Sequence, residues 1–186
     1  MGKPRPQKKK SSKSRTKSVL GPGRSISKPK MSQDPSILLD QATILLQTGR
    51  ADEALPTARQ ALDLASDNAS VQLQAANLLG EINVELGEID TAREYFLSAV
   101  ERDPNGSIPE AEGGGAEKFM WLAQLSEQGG VDSVQWFEKG VSSLRQTLQS
   151  LEGKTDTEEV AFAEENKVKL SNALCAVAEI YMTDLS

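Results

Sequence analysis

A recurring order of small and large residues constrains this chain more than anything else in it. Gly49 is followed by Ala54, Ala58, Ala61 and Leu62, and Gly87 by Ala92, Phe96, Ala99 and Val100. A degenerate third copy has Gly130 followed by Ser133, Phe137, Gly140 and Val141. The pairs Leu79-Gly80 and Leu122-Ala123 stand ahead of the second and third copies. At helical spacing, small residues let two helix axes approach and large ones fill the space that is left. Two-helix units built this way cannot bury their apolar faces alone, so they stack.

The rest of the pattern is helical too. Asp34 precedes Pro35 in the arrangement of an N-cap acid followed by proline at the first helical position, and Ile37, Leu38, Leu39, Ala42, Leu45 and Leu46 recur at helical spacing up to Gly49. Asp52 is expected to cap a second helix with Pro56 near its start, followed by helices over roughly 71 to 86 and 90 to 102, the latter capped by Asp90 and ended by Pro104. A further pair is expected over about 116 to 128 and 132 to 151, with Asp132 as cap, after the Gly- and Pro-rich loop DPNGSIPEAEGGG. Thr155 and Glu158 have capping-box spacing ahead of a periodic run that reaches Asp184, a helix of about 27 residues. No useful length alternates with period two, so the fold class is all-α.

Units of this kind, close to 34 residues long, resemble the tetratricopeptide repeat. The resemblance places repeats at about 35–68, 73–106 and 116–151, with an incomplete fourth at 155–186, and implies a right-handed superhelix, an α-solenoid. The domain would then span 34–186. Three positions depart from the family pattern: Gln41-Ala42 replaces the usual Leu-Gly pair, Ser66 stands for proline and Asn83 for tyrosine. The fourth unit begins with Leu174, Val177, Ala178 and Tyr181 and stops before its second helix, which reads either as the front part of a longer array or as a terminal helix that caps the stack.

Composition narrows the function. The chain has no histidine and one cysteine, Cys175, which reads as a small core residue. The commonest general base is missing, as are an internal disulfide and a multi-cysteine metal site, so neither an enzyme nor a cofactor is expected. No apolar run approaches the length of a membrane span, and no signal core follows the basic start. Residues 1–33 hold 11 of the 21 Lys and Arg and no acid, whereas residues 34–186 set the other 10 against all 27 acids, a net of −17. The tail cannot offset the entropy of ordering and reads as disordered. Its cluster Lys8, Lys9, Lys10, Lys13, Arg15 and Lys17 fits a nuclear import signal, a phosphate-binding arm or a solubilising extension without a receptor.

The repeat resemblance also implies a concave groove lined by the first helix of each unit. Carried onto this chain, the groove positions include Ser36, Leu39, Thr43, Leu46 and Gln47, then Gln74, Asn77, Glu81, Val84 and Glu85. The third unit gives Glu117, Met120, Gln124, Glu127 and Gln128, and the fourth Asn172, Cys175, Glu179, Met182 and Thr183. Five of these are glutamates and none is Lys or Arg. The clamp by which some members hold the C-terminal carboxylate of heat-shock chaperones is missing, because its slots hold Leu39, Thr43, Leu78, Glu117 and Trp121. The groove suits a basic, extended ligand paired with Glu81, Glu85, Glu117, Glu127 and Glu179, with Asn77 and Gln124 able to bond to peptide backbone. The plainer reading is a solvated acidic face. Trp121 and Trp136 are either anchors for a ligand or core.

Taken together, MGKPRPQKKKSSKSRTKS, ILLDQATILLQTGRADEAL and SNALCAVAEIYMTDLS resemble the fungal dedicated assembly chaperones of ribosomal large-subunit protein four, uL4. That resemblance implies binding rather than catalysis. The superhelix would capture the client's basic internal loop, shield it and accompany it to nuclear pre-ribosomes, with residence in cytoplasm and nucleus and an import receptor engaging the tail. Neither a membrane nor a small-molecule substrate is implied. A scaffold subunit of a multiprotein complex, its basic tail touching nucleic acid, is the alternative.

Overall fold

The computed structural model describes residues 34–66 and 68–184. The basic tail and its cluster from Lys8 to Lys17 lie outside the described residues. Seven α-helices and one short 3-10 turn make up the described architecture: α1 (Pro35–Gln47), α2 (Ala51–Leu64), α3 (Ala69–Glu85), α4 (Ile89–Arg102), α5 (Glu117–Gln124), α6 (Gly130–Ser150) and α7 (Thr157–Thr183), with the turn at Glu110–Glu112. Consecutive helices pack as pairs, α1 with α2, α3 with α4 and α5 with α6, and α7 lies along α6.

The small-and-large pattern closes these pairs. Ala54, Ala58 and Ala61 of α2 are wholly buried, as are Ala92, Phe96 and Ala99 of α4. A Cβ added at Gly80 would lie 2.6 Å from the Phe96 ring, so α3 and α4 touch there only because the side chain is missing. At Gly140 on α6 a Cβ would meet Met120 Cε at 2.5 Å, a contact that the flexible methionine tip can relieve by shifting. Asn83, at the tyrosine slot, is buried and donates from Nδ2 to the Leu79 carbonyl at 2.6 Å. Trp121 stacks on Phe96 with ring centroids 5.9 Å apart, and Trp136 on Phe119 at 6.4 Å, so both indoles pack on core rings while remaining half-buried.

Helix starts differ from expectation in a consistent way. Asp34 does cap α1, accepting from the Ser36 N–H at 3.0 Å. At α2 and α4, however, the N-caps are Arg50 and Glu88, and Asp52 and Asp90 fall in the first turn. There they complement the helix dipole without a capping hydrogen bond. α6 begins at Gly130, and Asp132 instead accepts from Ser126 Oγ at 2.5 Å, part of a turn that ends α5 at Gln124 rather than near 128. α7 is capped by Asp156, one residue beyond Thr155, and is 27 residues long. Pro56 lies six residues into α2, past the turn where proline is tolerated. Cys175 is exposed rather than in the core, because Ala173, Ala176, Val177 and Ile180 form the face of α7 packed on α6 and residue 175 points the other way.

The DPNGSIPEAEGGG segment is a fixed strap rather than a loose connection. At its base Lys118 Nζ lies 2.7 Å from Asp103 Oδ2 and donates to the Gly115 carbonyl at 2.7 Å, with both side chains of the pair at most 1% exposed. Asp103 Oδ1 accepts from the Ser107 and Ile108 N–H groups, and Ser143 Oγ donates to the Gly106 carbonyl. Ser70, Gln74 and Asn77 of α3 donate to the carbonyls of Glu112, Ala111 and Gly113. Among the described residues no helix is long and apolar enough to cross a membrane.

Candidate functional site

The first helices of successive units meet around a cavity of about 300 Å³. Thr43 of α1, Asn77 and Glu81 of α3, and Glu117 and Trp121 of α5 line it, with Glu110, Gly113 and Gly114 of the strap closing one side. A second cavity, about 380 Å³, lies between α5, α6 and α7 and is lined by Met120, Trp121, Phe137, Leu144, Ala173 and Ala176, with Glu117, Gln124, Lys169 and Asn172 among its polar residues. Glu117 and Trp121 border both.

Glu81 is the group most altered by its surroundings. Burial, and then the charge of Glu117, push its carboxyl up to about 7. Neither glutamate has a cation within ion-pair distance among the described residues. The lysine lining the same cavity, Lys118, is committed to Asp103. For that pair, burial acts against charge on both partners: it lowers Lys118, and Asp103 is nonetheless held below the ordinary aspartate value by the Lys118 hydrogen bond and charge and by the backbone of Ser107 and Ile108. Holding the partly buried carboxyl of Glu81 beside the exposed one of Glu117 is unfavourable without an ion-pair partner, and a site that tolerates it is suited to an incoming cation.

The expected groove residues separate into three sets. Asn77, Glu81 and Glu117 come together, and Glu117 with Gln124 borders the second cavity. Glu85, Glu127 and Glu179 are exposed and line neither cavity. Two details correct the acidic, cation-free groove. Glu127 is already ion-paired with Arg93 of α4, and Lys169 of α7 borders the second cavity, paired with Glu165 at 3.0 Å and Glu110 at 3.4 Å. Burial acts against the Lys169 charge, yet Glu165, Glu110 and Glu117 raise its pKa overall. Asn77 is likewise no open hook for a foreign backbone, since its Nδ2 donates to Gly113 of the chain's own strap at 2.6 Å, while its Oδ1 is buried without a partner. The strap, which the sequence marks only as a Gly and Pro loop, is the part of the site that spacing did not reveal.

The paired helices, the glycine and alanine contacts between them and the first-helix cleft together define the chain as a tetratricopeptide-repeat protein, and residues 39–107 match a family model described as tetratricopeptide repeat. Within that class it is homologous to fungal proteins described as probable assembly chaperones of rpl4. The one from Emericella nidulans is 70% identical over 145 residues, covering 78% of this chain and 38% of that protein. The one from Schizosaccharomyces pombe is 35% identical over 133 residues, covering 72% of this chain and 34% of that protein. A solved structure described as residues 1-338 of the assembly chaperone of RpL4 (Acl4) superposes with a TM-score of 0.73 at 46% identity, over 82% of this chain and 56% of that one. The chain thus spans little more than a third of the length of these curated relatives.

Proposed function

We propose that this chain is the client-holding part of a dedicated chaperone that binds and shields a basic, extended loop of newly made ribosomal large-subunit protein uL4 and delivers it to nuclear pre-ribosomes. The relatives' description as assembly chaperones of rpl4 supports the choice of client. The observation that carries the binding mode is the Glu81–Glu117 cleft, two neighbouring carboxyl groups of which neither is in an ion pair among the described residues, in a body of net charge −17. A guanidinium or ammonium entering the cleft relieves their repulsion, and the wider acidic field draws basic segments toward it. The action is binding, with no bond made or broken. Residence in both cytoplasm and nucleus, with an import receptor on the Lys8–Lys17 cluster, completes the reading.

Co-purification of uL4 with the tagged full chain, wild type against the Glu81→Lys, Glu85→Lys double variant, tests it. Loss of uL4 from the variant with an unchanged helical spectrum is the expected result. Undiminished capture rejects the groove, and recovery of a stable multisubunit complex in place of one stoichiometric ribosomal protein rejects the dedicated chaperone.

A further inference from the structure

The two cavities differ in chemistry and share a wall. Glu81 stands only in the cavity on the α3 side, Met120, Phe137 and Ala176 only in the one on the α7 side, where Gln124, Lys169 and Asn172 form a polar edge, and Glu117 and Trp121 border both. Both volumes lie near the lower end of ligand cavities, about 300 to 1,000 Å³, and suit single side chains better than a cofactor. An acidic groove that needed only to attract positive charge has no use for the apolar member. In an extended segment, residues i and i+2 project to the same side about 7 Å apart, a separation suited to two recesses that adjoin across one indole. A guanidinium lying against the face of Trp121 can bond to planar carboxylates in a way an ammonium cannot.

Resting on the reading of the groove as a binder of basic segments, the geometry points to a two-residue recognition site. An arginine enters the Glu81–Glu117 cavity while a large apolar side chain two positions away enters the cavity lined by Met120, Phe137 and Ala176, with Trp121 between them. The ligand is therefore a basic segment interrupted by apolar residues, and its sequence matters as well as its charge.

Two blocked, fluorescein-labelled peptides separate charge from sequence: Gly-Ser-Arg-Ser-Leu-Ser-Arg-Ser-Gly, and the same peptide with serine for leucine. The first places arginine two residues from leucine in both chain directions. Titrated by fluorescence anisotropy against the full chain at low salt, the leucine peptide is expected to bind roughly tenfold more tightly. Ala176→Leu, which fills the apolar cavity from its wall, is expected to abolish that ratio. Glu81→Gln is expected to weaken both peptides and keep the ratio. Equal binding of the two peptides by the wild type, or a ratio that survives Ala176→Leu, overturns the two-residue site while leaving the acidic groove standing. If neither peptide binds, the site is overturned, and the uL4 co-purification decides whether the groove reading falls with it. Matching circular-dichroism melts exclude misfolding of the variants.

Discussion

Lys118 and Asp103 form a buried ion pair, Nζ to Oδ2 at 2.7 Å, that joins the first turn of α5 to the residue ending α4 and fixes both ends of the strap between them. Removing one partner leaves the other charge buried alone. Asp103→Asn or Lys118→Met is expected to lower stability by about 3–5 kcal/mol, whereas combining the two costs less than the sum, because no charge is left buried alone and the asparagine still offers an acceptor to the Ser107 and Ile108 N–H groups. Urea unfolding of the three variants measures this directly, and a loss in the double variant equal to the sum of the single losses would contradict it.

The contact of Gly80 with the Phe96 ring gives a second expectation. Gly80→Ala places a methyl where 2.6 Å separates it from aromatic carbon, and the overpacking is expected to destabilise by about 1–3 kcal/mol. Adding Phe96→Leu, which withdraws the ring, should recover part of the loss. A double-mutant cycle by thermal melting reads the coupling.

Glu81 makes stability depend on pH. Its folded value, about 7, lies above the ordinary 4.5, so the folded chain holds the proton more tightly than the unfolded one. The associated stability is fully present below about pH 4.5, declines as pH rises, and is gone above about 7, for at most about 3 kcal/mol. Glu117 across the cavity, Glu110 and the Asp103-bound Lys118 are the other charged groups around it. Relative to wild type, Glu81→Gln should gain stability between about pH 4.5 and 7 and level off above that. A difference that stays constant with pH would show that residue 81 does not titrate there.

Pro56 weakens α2 from within, since it is exposed and has no N–H to offer the Asp52 carbonyl. Pro56→Ala is expected to raise the melting temperature, by about 1–3 kcal/mol of added stability. Calorimetry of the full chain checks the sign.

The helices and their packing were legible because each contact is between residues at repeating offsets: Gly80, Ala92, Phe96 and Ala99 announce which faces meet. Caps were less so. Asp52 and Asp90 carry the right chemistry for an N-cap, but the chain re-enters the helix one or two residues earlier, and nothing local distinguishes a cap from a first-turn acid. The approach of Glu81 to Glu117 followed from repeat position. The cations that modify the site did not, since Lys118 finds Asp103 across 15 residues, Arg93 finds Glu127 across 34 and Lys169 finds Glu110 across 59, all through the path of connections that carry no period. Cys175 misled for a related reason: an apolar stretch of α7 shows which residues are greasy, and only the position of α6 shows which side they use.

The strap alters what the cleft can discriminate. Ser70, Gln74 and Asn77 already donate to carbonyls of residues 111–113, so a strand laid along α3 competes with the strap for these side-chain donors. Main-chain bonding is blind to sequence, and weakening it at α3 leaves more of the choice to side chains. Two segments of equal charge but shuffled order would then be told apart.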